Sequence, residues 1–265
     1  MYPIVIPSRG RWNNCATVDS IPARFRKNIY LFVLEDEAAR YQRNNETFWN
    51  GDVHICCAST STDRISLKRR KMAEYVRDEL DSGFFWMMDD DLKFFSRIPG
   101  TTRLAQLTEN GFSEMFSDCE SMVSFEPDRY CAIGISMRQG NNNLPDEGAW
   151  NTRLIRCGLY KTDAFLAVEH DRIQFMGDFD VMIQMLKLGY DNHVTALWAQ
   201  DHGSTNAKGG CSLQRNEEVM NRVANELAAF HPNCVQTKEK VNKTGKMAIR
   251  TDVTIYWKKA RASAN

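Results

Sequence analysis

The chain has 265 residues, of which 43% are hydrophobic and 26% are charged, a composition typical of a globular protein that buries a sizeable core. Its 34 basic and 34 acidic residues give a formal net charge of zero, which excludes binding to nucleic acid or membranes through bulk positive charge. No apolar run reaches the roughly 18–20 residues needed to span a bilayer. The eight cysteines include no CxxC pair, so we expect no zinc ribbon, no disulfide framework and a cytoplasmic location.

Four short apolar runs near the start of the chain predict the strands of a sheet. They are IVI at 4–6, IYLFVL at 29–34, VHICC at 53–57 and FFWMM at 84–88. A helix is predicted at 65–80, because apolar residues recur there at helical spacing and Gly83 ends the segment. Continuous apolar strands that alternate with helical connections favour an α/β fold with a largely parallel sheet covered on both faces.

The rest of the chain predicts further helices and strands. Helices are predicted at 104–125, 177–190 and 213–230, and strands at 130–137, 152–161 and 192–197. We expect the strand at 152–161 to contribute to a smaller, mixed sheet. No segment has the composition of a linker, so the sequence predicts a single domain over residues 1–265.

Polar side chains follow three of the predicted strands. Ser8, Arg9 and Arg11 come after the first strand, Glu35 comes directly after the second, and three consecutive aspartates at 89–91 end the fourth. Since ligands of open α/β sheets bind beyond the carboxyl ends of the strands, we expect these side chains to form a site.

The three aspartates repel one another, and a divalent cation would offset that repulsion. Carboxylate oxygens are the ligands that Mg²⁺ and Mn²⁺ prefer, and such cations hold phosphate oxygens in turn. Asp89 and Asp91 lie on one side of an extended chain because they are two residues apart, so we predict that they are metal ligands. The alternative is a solvated turn or a helix N-cap, where aspartate is also common.

Three residues far along the chain are further candidates. Asp178 and Asp180 begin the predicted helix at 177–190, where one could act as a general base whose pKa burial raises. Both could instead simply stabilise the helix dipole. His202 follows a predicted strand and could be another metal ligand through a neutral imidazole, or a solvated loop residue.

A run of four basic residues, KRRK at 68–71, lies on the predicted helix at 65–80. With Arg9 and Arg11 it could meet a diphosphate, or it could form a solvated helix face. Four consecutive residues cover every side of a helix, so at least one must turn inward. The sequence has no Walker A, GxGxxG, GxSxG or HExxH motif, which removes support for P-loop ATPases, Rossmann dehydrogenases, α/β-hydrolases and zinc proteases.

The order of these motifs resembles that of the GT-A glycosyltransferases, whose Rossmann-like fold binds nucleotide-sugars. IVIPSRGR resembles the family's first strand and proline-containing loop, and Glu35 its acidic residue after the second strand. Arg69 in ISLKRRK matches the inward basic residue, and Asp89–Asp91 matches the DxD motif. GDFD resembles the helix start that supplies the base in inverting members, with Asp178 the better match, and His202 matches a late metal-binding histidine. The resemblance covers roughly residues 2–205.

This resemblance implies a metal-dependent glycosyltransferase with a mostly parallel central sheet and a smaller mixed sheet on the acceptor side. It implies that residues 1–100 bind the nucleotide-sugar, 101–210 bind the acceptor and carry catalysis, and 211–265 form a C-terminal helix and basic tail. Mn²⁺ or Mg²⁺ and a UDP-sugar are the implied cofactor and donor. Asp90, Glu35 and the loop from Pro7 to Arg11 would hold the nucleotide. The usual Glu-Asp pair is Gly177-Asp178 here, so the base stays open between Asp178 and Asp180, as does the stereochemistry.

PIVIPSRGRW, followed by RISLKRRKMAEY and DDD, further resembles the phage-associated TET-associated glycosyltransferases. Those proteins are thought to add sugars to hydroxymethylated pyrimidines in DNA. A basic tail supports DNA binding because lysine clusters release counterions from phosphates, although it could also be a solubilising surface. A saccharide or lipid-linked acceptor, a nucleotidyltransferase and a nucleotide-binding module remain alternatives. The basic residues of the tail are Lys238, Lys240, Lys243, Lys246, Arg250, Lys258, Lys259 and Arg261.

Overall fold

The computed structural model describes residues 1–58, 64–202, 216–241 and 249–264. Its strands are β1 (Ile4–Pro7), β2 (Ile29–Leu34), β3 (His54–Ala58), β4 (Phe84–Met88), β5 (Leu92–Arg97), β6 (Leu104–Gln106), β7 (Tyr130–Met137), β8 (Ala149–Trp150), β9 (Cys157–Lys161), β10 (Asp191–His202), β11 (Val235–Val241) and β12 (Ile249–Ile255). Its helices are α1 (Ala16–Ser20), α2 (Ala23–Arg26), α3 (Glu35–Phe48), α4 (Ile65–Asp78), α5 (Glu109–Phe125), α6 (Thr162–Leu166), α7 (Gly177–Lys187), α8 (Glu217–Phe230) and α9 (Trp257–Ala262).

The protein has a mixed α/β fold with one large central sheet and a small, separate antiparallel sheet. The large sheet has the order β3-β2-β1-β4-β9-β7-β10-β5-β6, and β8 pairs with β10. Strands β3, β2, β1 and β4 are parallel, whereas β9 runs antiparallel to both β4 and β7. The predicted mixed strands therefore continue the parallel sheet, and the α/β class is confirmed.

Both faces of the sheet are buried, as the apolar sequence of β4 predicts. All five residues of β4 are buried, and their side chains alternate between two hydrophobic clusters. Trp86 and Met88 pack with residues of α1, α3 and α5, whereas Phe85 and Met87 pack with residues of α4, α6, α7 and α8. These two layers hold β4 rigidly up to the point where the aspartates begin.

Several element boundaries differ from the predictions. The helix predicted from residue 104 begins at Glu109, because the Thr108 side chain accepts a hydrogen bond from the Gly111 N–H and caps it. The strand predicted over 152–161 covers only Cys157–Lys161, because the positive φ of Arg156 (66°) breaks the extended chain before it. The strand predicted at 192–197 extends over Asp191–His202.

The C-terminal segment contains an antiparallel strand pair that the sequence did not predict. Strands β11 and β12 pair antiparallel, with Val235 opposite Ile255, and the pair packs against α8. The helix predicted over 213–230 begins at Glu217, and residues 213–215 lie outside the described ranges. No helix of the described residues is long and apolar enough to cross a membrane.

Candidate active site

The acidic triplet lies in a tight connection between β4 and β5, at the carboxyl edge of the parallel strands. Thr17 of α1 fixes the backbone of this connection through three hydrogen bonds. Its Oγ1 donates to the Asp89 carbonyl (2.6 Å) and accepts from the Leu92 N–H (2.8 Å), and its N–H donates to the Asp90 carbonyl (3.2 Å). The three carboxylates therefore project from a backbone that is already ordered.

Asp90 faces the loop that follows β1. The Ser8 hydroxyl donates to its Oδ2, and Arg11 Nη1 donates to its Oδ1 at 2.6 Å. Burial raises the pKa of Asp90 to about 6, although the hydrogen bond from Ser8 and the charge of Arg11 oppose that shift. Asp90 thus ties the β1 loop to the end of β4.

A second layer of contacts supports this loop. The Tyr41 hydroxyl lies 2.8 Å from Ser8 Oγ and accepts the Arg11 N–H at 3.0 Å. Lys68 is buried and donates from Nζ to the Ser8 carbonyl at 3.0 Å. Burial lowers the pKa of Lys68 to about 8, while the charge of Asp90 opposes that shift. Lys68 is the buried member of the KRRK run.

Asp89 and Asp91, the two predicted metal ligands, each contact a different arginine. Arg69 Nη2 contacts Asp89 Oδ1 at 2.8 Å, and Arg11 Nη1 contacts Asp91 Oδ2 at 2.9 Å. Burial raises the pKa of Asp89, against the charge of Arg69. The other oxygen of each carboxylate, Asp89 Oδ2 and Asp91 Oδ1, accepts no hydrogen bond from the described residues.

Asp89 and Asp91 could supply only part of the ligand shell of a divalent cation. No three His, Cys, Asp or Glu side chains cluster as a metal site in the described part of the chain. Mg²⁺ usually takes one or two carboxylates and completes its shell with water and substrate phosphates. His202 lies opposite Leu92 in the β10–β5 register, so its backbone is close to the triplet, but its side chain does not form a three-ligand cluster with Asp89 and Asp91.

Asp178 lies at the start of α7, which packs beside the start of α4. A Cβ added at Gly177 would lie 3.5 Å from Ser66 Cβ, so the two helix starts are in contact. Asp178 is half-buried. Burial alone would lower the pKa of Arg69, but the negative charges of Asp89 and Asp178 outweigh burial and raise that pKa. Arg69 therefore connects the acidic triplet electrostatically with the α7 start.

Asp180 has a different environment from Asp178. It is 1% exposed, accepts from Arg172 Nε at 3.0 Å and from Gln184 Nε2 at 3.1 Å, and lies 2.7 Å from His231 Nε2. Burial favours a higher pKa for Asp180, but the hydrogen bonds from His231 and Arg172 outweigh it and lower the pKa. Both of its oxygens are engaged, since Oδ1 faces His231 in the segment after α8 and Oδ2 accepts from Arg172 and Gln184.

The remaining predicted nucleotide-binding residues lie around the β1 loop. Pro7 is the last residue of β1, and Arg9 is exposed in the loop that follows. Glu35 is exposed at the first residue of α3, whereas Glu37 accepts the Gly10 N–H at 2.9 Å.

Sequence reasoning missed the contributions of Thr17, Tyr41 and Glu37. Thr17 and Tyr41 carry no local pattern that marks them, since each acts through a contact with a distant part of the chain. Glu37 belongs to the acidic run after the second strand. The helical phase of α3, which begins at Glu35, indicates that its third residue can turn back toward the loop.

The fold engages part of the basic tail in contacts with the protein. Arg261 Nε contacts Asp191 Oδ1 at 2.8 Å, and Arg250 and Lys240 both contact Asp252. The other described basic residues of the tail are exposed, and two basic residues in its middle lie outside the described residues. The exposed ones are Lys238, Lys258 and Lys259, and those outside are Lys243 and Lys246.

The fold has four parallel strands, the fourth of which ends in the fixed acidic triplet, and a second acidic helix start at α7. This arrangement is an α/β fold of the GT-A type. The chain matches the model of the TET-associated glycosyltransferase family over residues 2–210 and belongs to that family. The resemblance inferred from the sequence is thereby confirmed. A comparison with curated proteins gave no match.

Solved structures with low sequence identity share the fold. A mycobacterial protein superposes with a TM-score of 0.52 at 8% identity, over 96% of this chain and 84% of that one. GalNAc-T7, solved with UDP, GalNAc and Mn²⁺, superposes with a TM-score of 0.52 at 11% identity, over 76% and 43%. S. aureus TarS superposes with a TM-score of 0.50 at 10% identity, over 86% and 39%. The chain spans 65% of the TarS segment 1–349.

Proposed function

We propose that the protein transfers a sugar from a nucleotide-sugar, with a UDP-sugar as the favoured donor, to a hydroxyl acceptor. The observation that carries this proposal is the acidic triplet, in which Asp89 and Asp91 each have an oxygen that accepts no hydrogen bond from the described residues, while Asp178 is close enough to act on Arg69 electrostatically. The family membership supports glycosyl transfer. The UDP, GalNAc and Mn²⁺ bound to a protein of the same fold are consistent with this donor and cation.

In this proposal the β1 loop and its supports bind the nucleotide. The loop from Pro7 to Arg11 would contact the nucleoside, with Glu35 at the adjacent strand end and Asp90 toward the ribose. Lys68 and Arg69 would keep the edge electrostatically balanced while an anionic donor binds. Because Thr17 and Tyr41 already order this edge, donor binding requires little rearrangement.

Asp89 and Asp91 would hold Mn²⁺ or Mg²⁺, and His202 would join them after its side chain moves toward the bound cation. When bound there, the cation acts as a Lewis acid that stabilises the negative charge of the departing diphosphate. The open oxygens of the two aspartates are hard ligands of the type that these cations prefer.

Asp178 is the proposed general base that takes the proton of the acceptor hydroxyl. It is half-buried and lies at a helix start beside the donor site. Asp180, the alternative, has its carboxylate bound by Arg172, Gln184 and His231 and would have to break those contacts before accepting a proton. We therefore assign Asp180 to the structure of α7.

We propose that the acceptor is the hydroxymethyl group of a modified pyrimidine in DNA, flipped out of the duplex so that it enters the site. The family description and the exposed lysines of the C-terminal segment support this acceptor. Residues 1–100 would bind the donor, 101–210 the acceptor, and 211–265 the DNA backbone, within one cytoplasmic domain. A saccharide or lipid-linked acceptor is the second candidate, and a nucleotidyltransferase or binding module is the third.

A thermal-shift screen of nucleotide-sugars with Mn²⁺ or EDTA tests the donor half of the proposal. We expect a higher melting temperature with one nucleotide-sugar in Mn²⁺ and a smaller shift in EDTA. Mass spectrometry of nucleosides from hydroxymethylated and unmodified DNA then tests the acceptor. Release of nucleoside diphosphate with glycosylated nucleoside supports the proposal. Pyrophosphate release would identify a nucleotidyltransferase, and absence of any donor shift would leave only a binding module of another kind.

A further inference from the structure

Arg156 occupies a strained turn directly beside the acidic triplet. Its φ is 66°, in the left-handed region that non-glycine residues rarely adopt. The Cys157 N–H donates to the Ile155 carbonyl at 2.8 Å, which makes Arg156 the central residue of a three-residue γ-turn. γ-Turns with a positive central φ are rare and strained. Such strain persists where the surrounding structure enforces it, often at ligand-binding sites.

The turn is fixed to the end of β4. The Asp89 N–H donates to the Arg156 carbonyl at 2.9 Å, and Met88 pairs with Cys157 in the β4–β9 register. Arg156 is therefore opposite Asp89 on the neighbouring antiparallel strand. An alternative residue at position 156, such as glycine, would form the same backbone contacts without strain, so the backbone alone gives no reason for arginine.

The Arg156 side chain is positively charged and has an unsatisfied donor. Its Nη1 is buried and has no hydrogen-bond partner, and among the described residues Arg156 forms no ion pair. A buried polar group without a partner is costly and uncommon in native proteins. The charge of Arg156 nevertheless lies close enough to Asp89 to oppose the rise in the pKa of that carboxyl that burial causes.

The neighbouring cations already contact protein groups. Arg69 contacts Asp89, Arg11 contacts Asp90 and Asp91, and Lys68 contacts the Ser8 carbonyl. A guanidinium presents five donors in a planar fork that matches two oxygens of a phosphate. The position, charge and unsatisfied donor of Arg156 therefore suit an anionic oxygen that arrives with a ligand.

We infer that Arg156 donates hydrogen bonds to a phosphate of the bound nucleotide-sugar and positions that phosphate beside Asp89. This inference rests on the proposed function, because it requires a diphosphate donor at the acidic triplet. The strained turn would serve to aim the side chain along the carboxyl edge rather than along the direction of β9. Arg156 is then a positioning residue for the donor.

Arg156→Gly gives a test in which ligand binding and stability change in opposite directions. Glycine removes the side chain and relieves the strain of the positive φ, so the free variant should melt at the same temperature as the wild type or higher. Its Kd for UDP in Mn²⁺, measured by calorimetry, should rise at least about 10-fold, as expected for loss of a charged hydrogen bond. Its Kd for uridine, which has no phosphate, should stay within about twofold.

Asp81→Gly is the matched control, because Asp81 is an exposed residue with a φ of 47° at the other end of β4. It relieves the same kind of strain and should leave both Kd values unchanged. Arg156→Lys keeps the charge and loses the fork, and it should fall between wild type and Arg156→Gly in UDP affinity. If Arg156→Gly does not fold, a rise in the UDP Kd of Arg156→Lys without a change for uridine still supports the inference.

Three results would overturn the inference. An unchanged UDP Kd would show that Arg156 does not bind the donor, and equal losses for UDP and uridine would show a structural effect. A loss confined to binding of hydroxymethylated DNA would place the phosphate on the acceptor. If the wild type binds no nucleoside diphosphate, the proposed function itself is wrong. If the wild type binds UDP and Arg156→Gly binds it equally well, only the inference about Arg156 is wrong.

Discussion

Asp178 and Asp180 lie two residues apart on α7, and exchanging each for asparagine separates catalysis from stability. Asp180 is 1% exposed and is bound by Arg172, Gln184 and His231. Asparagine has nearly the same shape but no charge, so Asp180→Asn leaves the Arg172 guanidinium without its counterion. Removing one partner of a buried ion pair costs about 3–5 kcal/mol, and for a protein of this size that corresponds to a melting temperature lower by about 10 °C.

The pH dependence of this loss follows from the direction of the Asp180 pKa shift. The pKa is lowered in the folded protein, so its stabilisation is present above the unfolded-state pKa of about 4 and is lost as pH falls through the lower folded-state pKa. The stability difference between wild type and Asp180→Asn, measured by urea unfolding, should therefore be constant from pH 5 to 7. It should shrink below about pH 4.

Asp178→Asn should give the opposite pattern. The Asp178 side chain accepts none of the hydrogen bonds that join α7 to the C-terminal segment, so the free energy of unfolding should change by less than about 0.5 kcal/mol. Loss of a general base should lower kcat by roughly 10²–10⁴-fold, with little change in Kd for UDP. Transfer to hydroxymethylated DNA is the assay for both variants, at a temperature where each is folded. A stable Asp178→Asn enzyme of normal kcat, beside an inactive but folded Asp180→Asn, would refute the assignment.

Three further predictions concern the donor edge and the tail. Asp91→Ala should abolish the Mn²⁺-dependent part of the UDP thermal shift, and a shift equal to that of the wild type would exclude Asp91 as a metal ligand. The pKa of Asp90 is raised to about 6, so its stabilisation is present below about pH 4 and is lost as pH rises through 6. The free energy of unfolding of Asp90→Asn, relative to that of the wild type, should therefore increase by roughly 3 kcal/mol as the pH rises from 4 to 7. If urea unfolding gives the same difference between the two proteins at every pH, the burial argument is wrong. Replacing both Lys238 and Lys240 with alanine should reduce the slope of log K against log salt for DNA by about 2, and an unchanged slope would place the DNA elsewhere.

The parts of this fold that depend on local pattern were predictable from the sequence. The apolar runs gave the four parallel strands, because a strand buried on both faces must be apolar at every position. The acidic triplet was recognisable because three carboxylates after a buried strand need compensation. The KRRK run on α4 predicted that at least one basic residue turns inward; Lys68 is buried, and Arg69, which the resemblance marked, contacts Asp89.

The parts that depend on distant contacts were not predictable. Asp180 and Asp178 look alike in GDFD, and the contacts of Asp180 with Arg172, Gln184 and His231 distinguish them. Thr17 and Tyr41 act through the backbone of residues that lie far away in sequence. The strain at Arg156 is equally invisible, since the pairing of β9 with β4 decides that residue 156 must turn. Pattern gives the elements, whereas register and tertiary contacts decide which of several equivalent side chains enters the site.

The charge balance of the carboxyl edge joins the proposed cation to the inference about Arg156. Asp89, Asp90 and Asp91 are matched by three neighbouring cations, Arg11, Arg69 and Lys68, which bind the carboxylates or the loop beside them. These opposite charges balance without a ligand, which explains how three adjacent carboxylates are tolerated next to a buried strand. On the proposed function a diphosphate adds at least two negative charges to this edge. On that proposal, a divalent ion on the aspartates together with the guanidinium of Arg156, which forms no ion pair among the described residues, would offset the added charge.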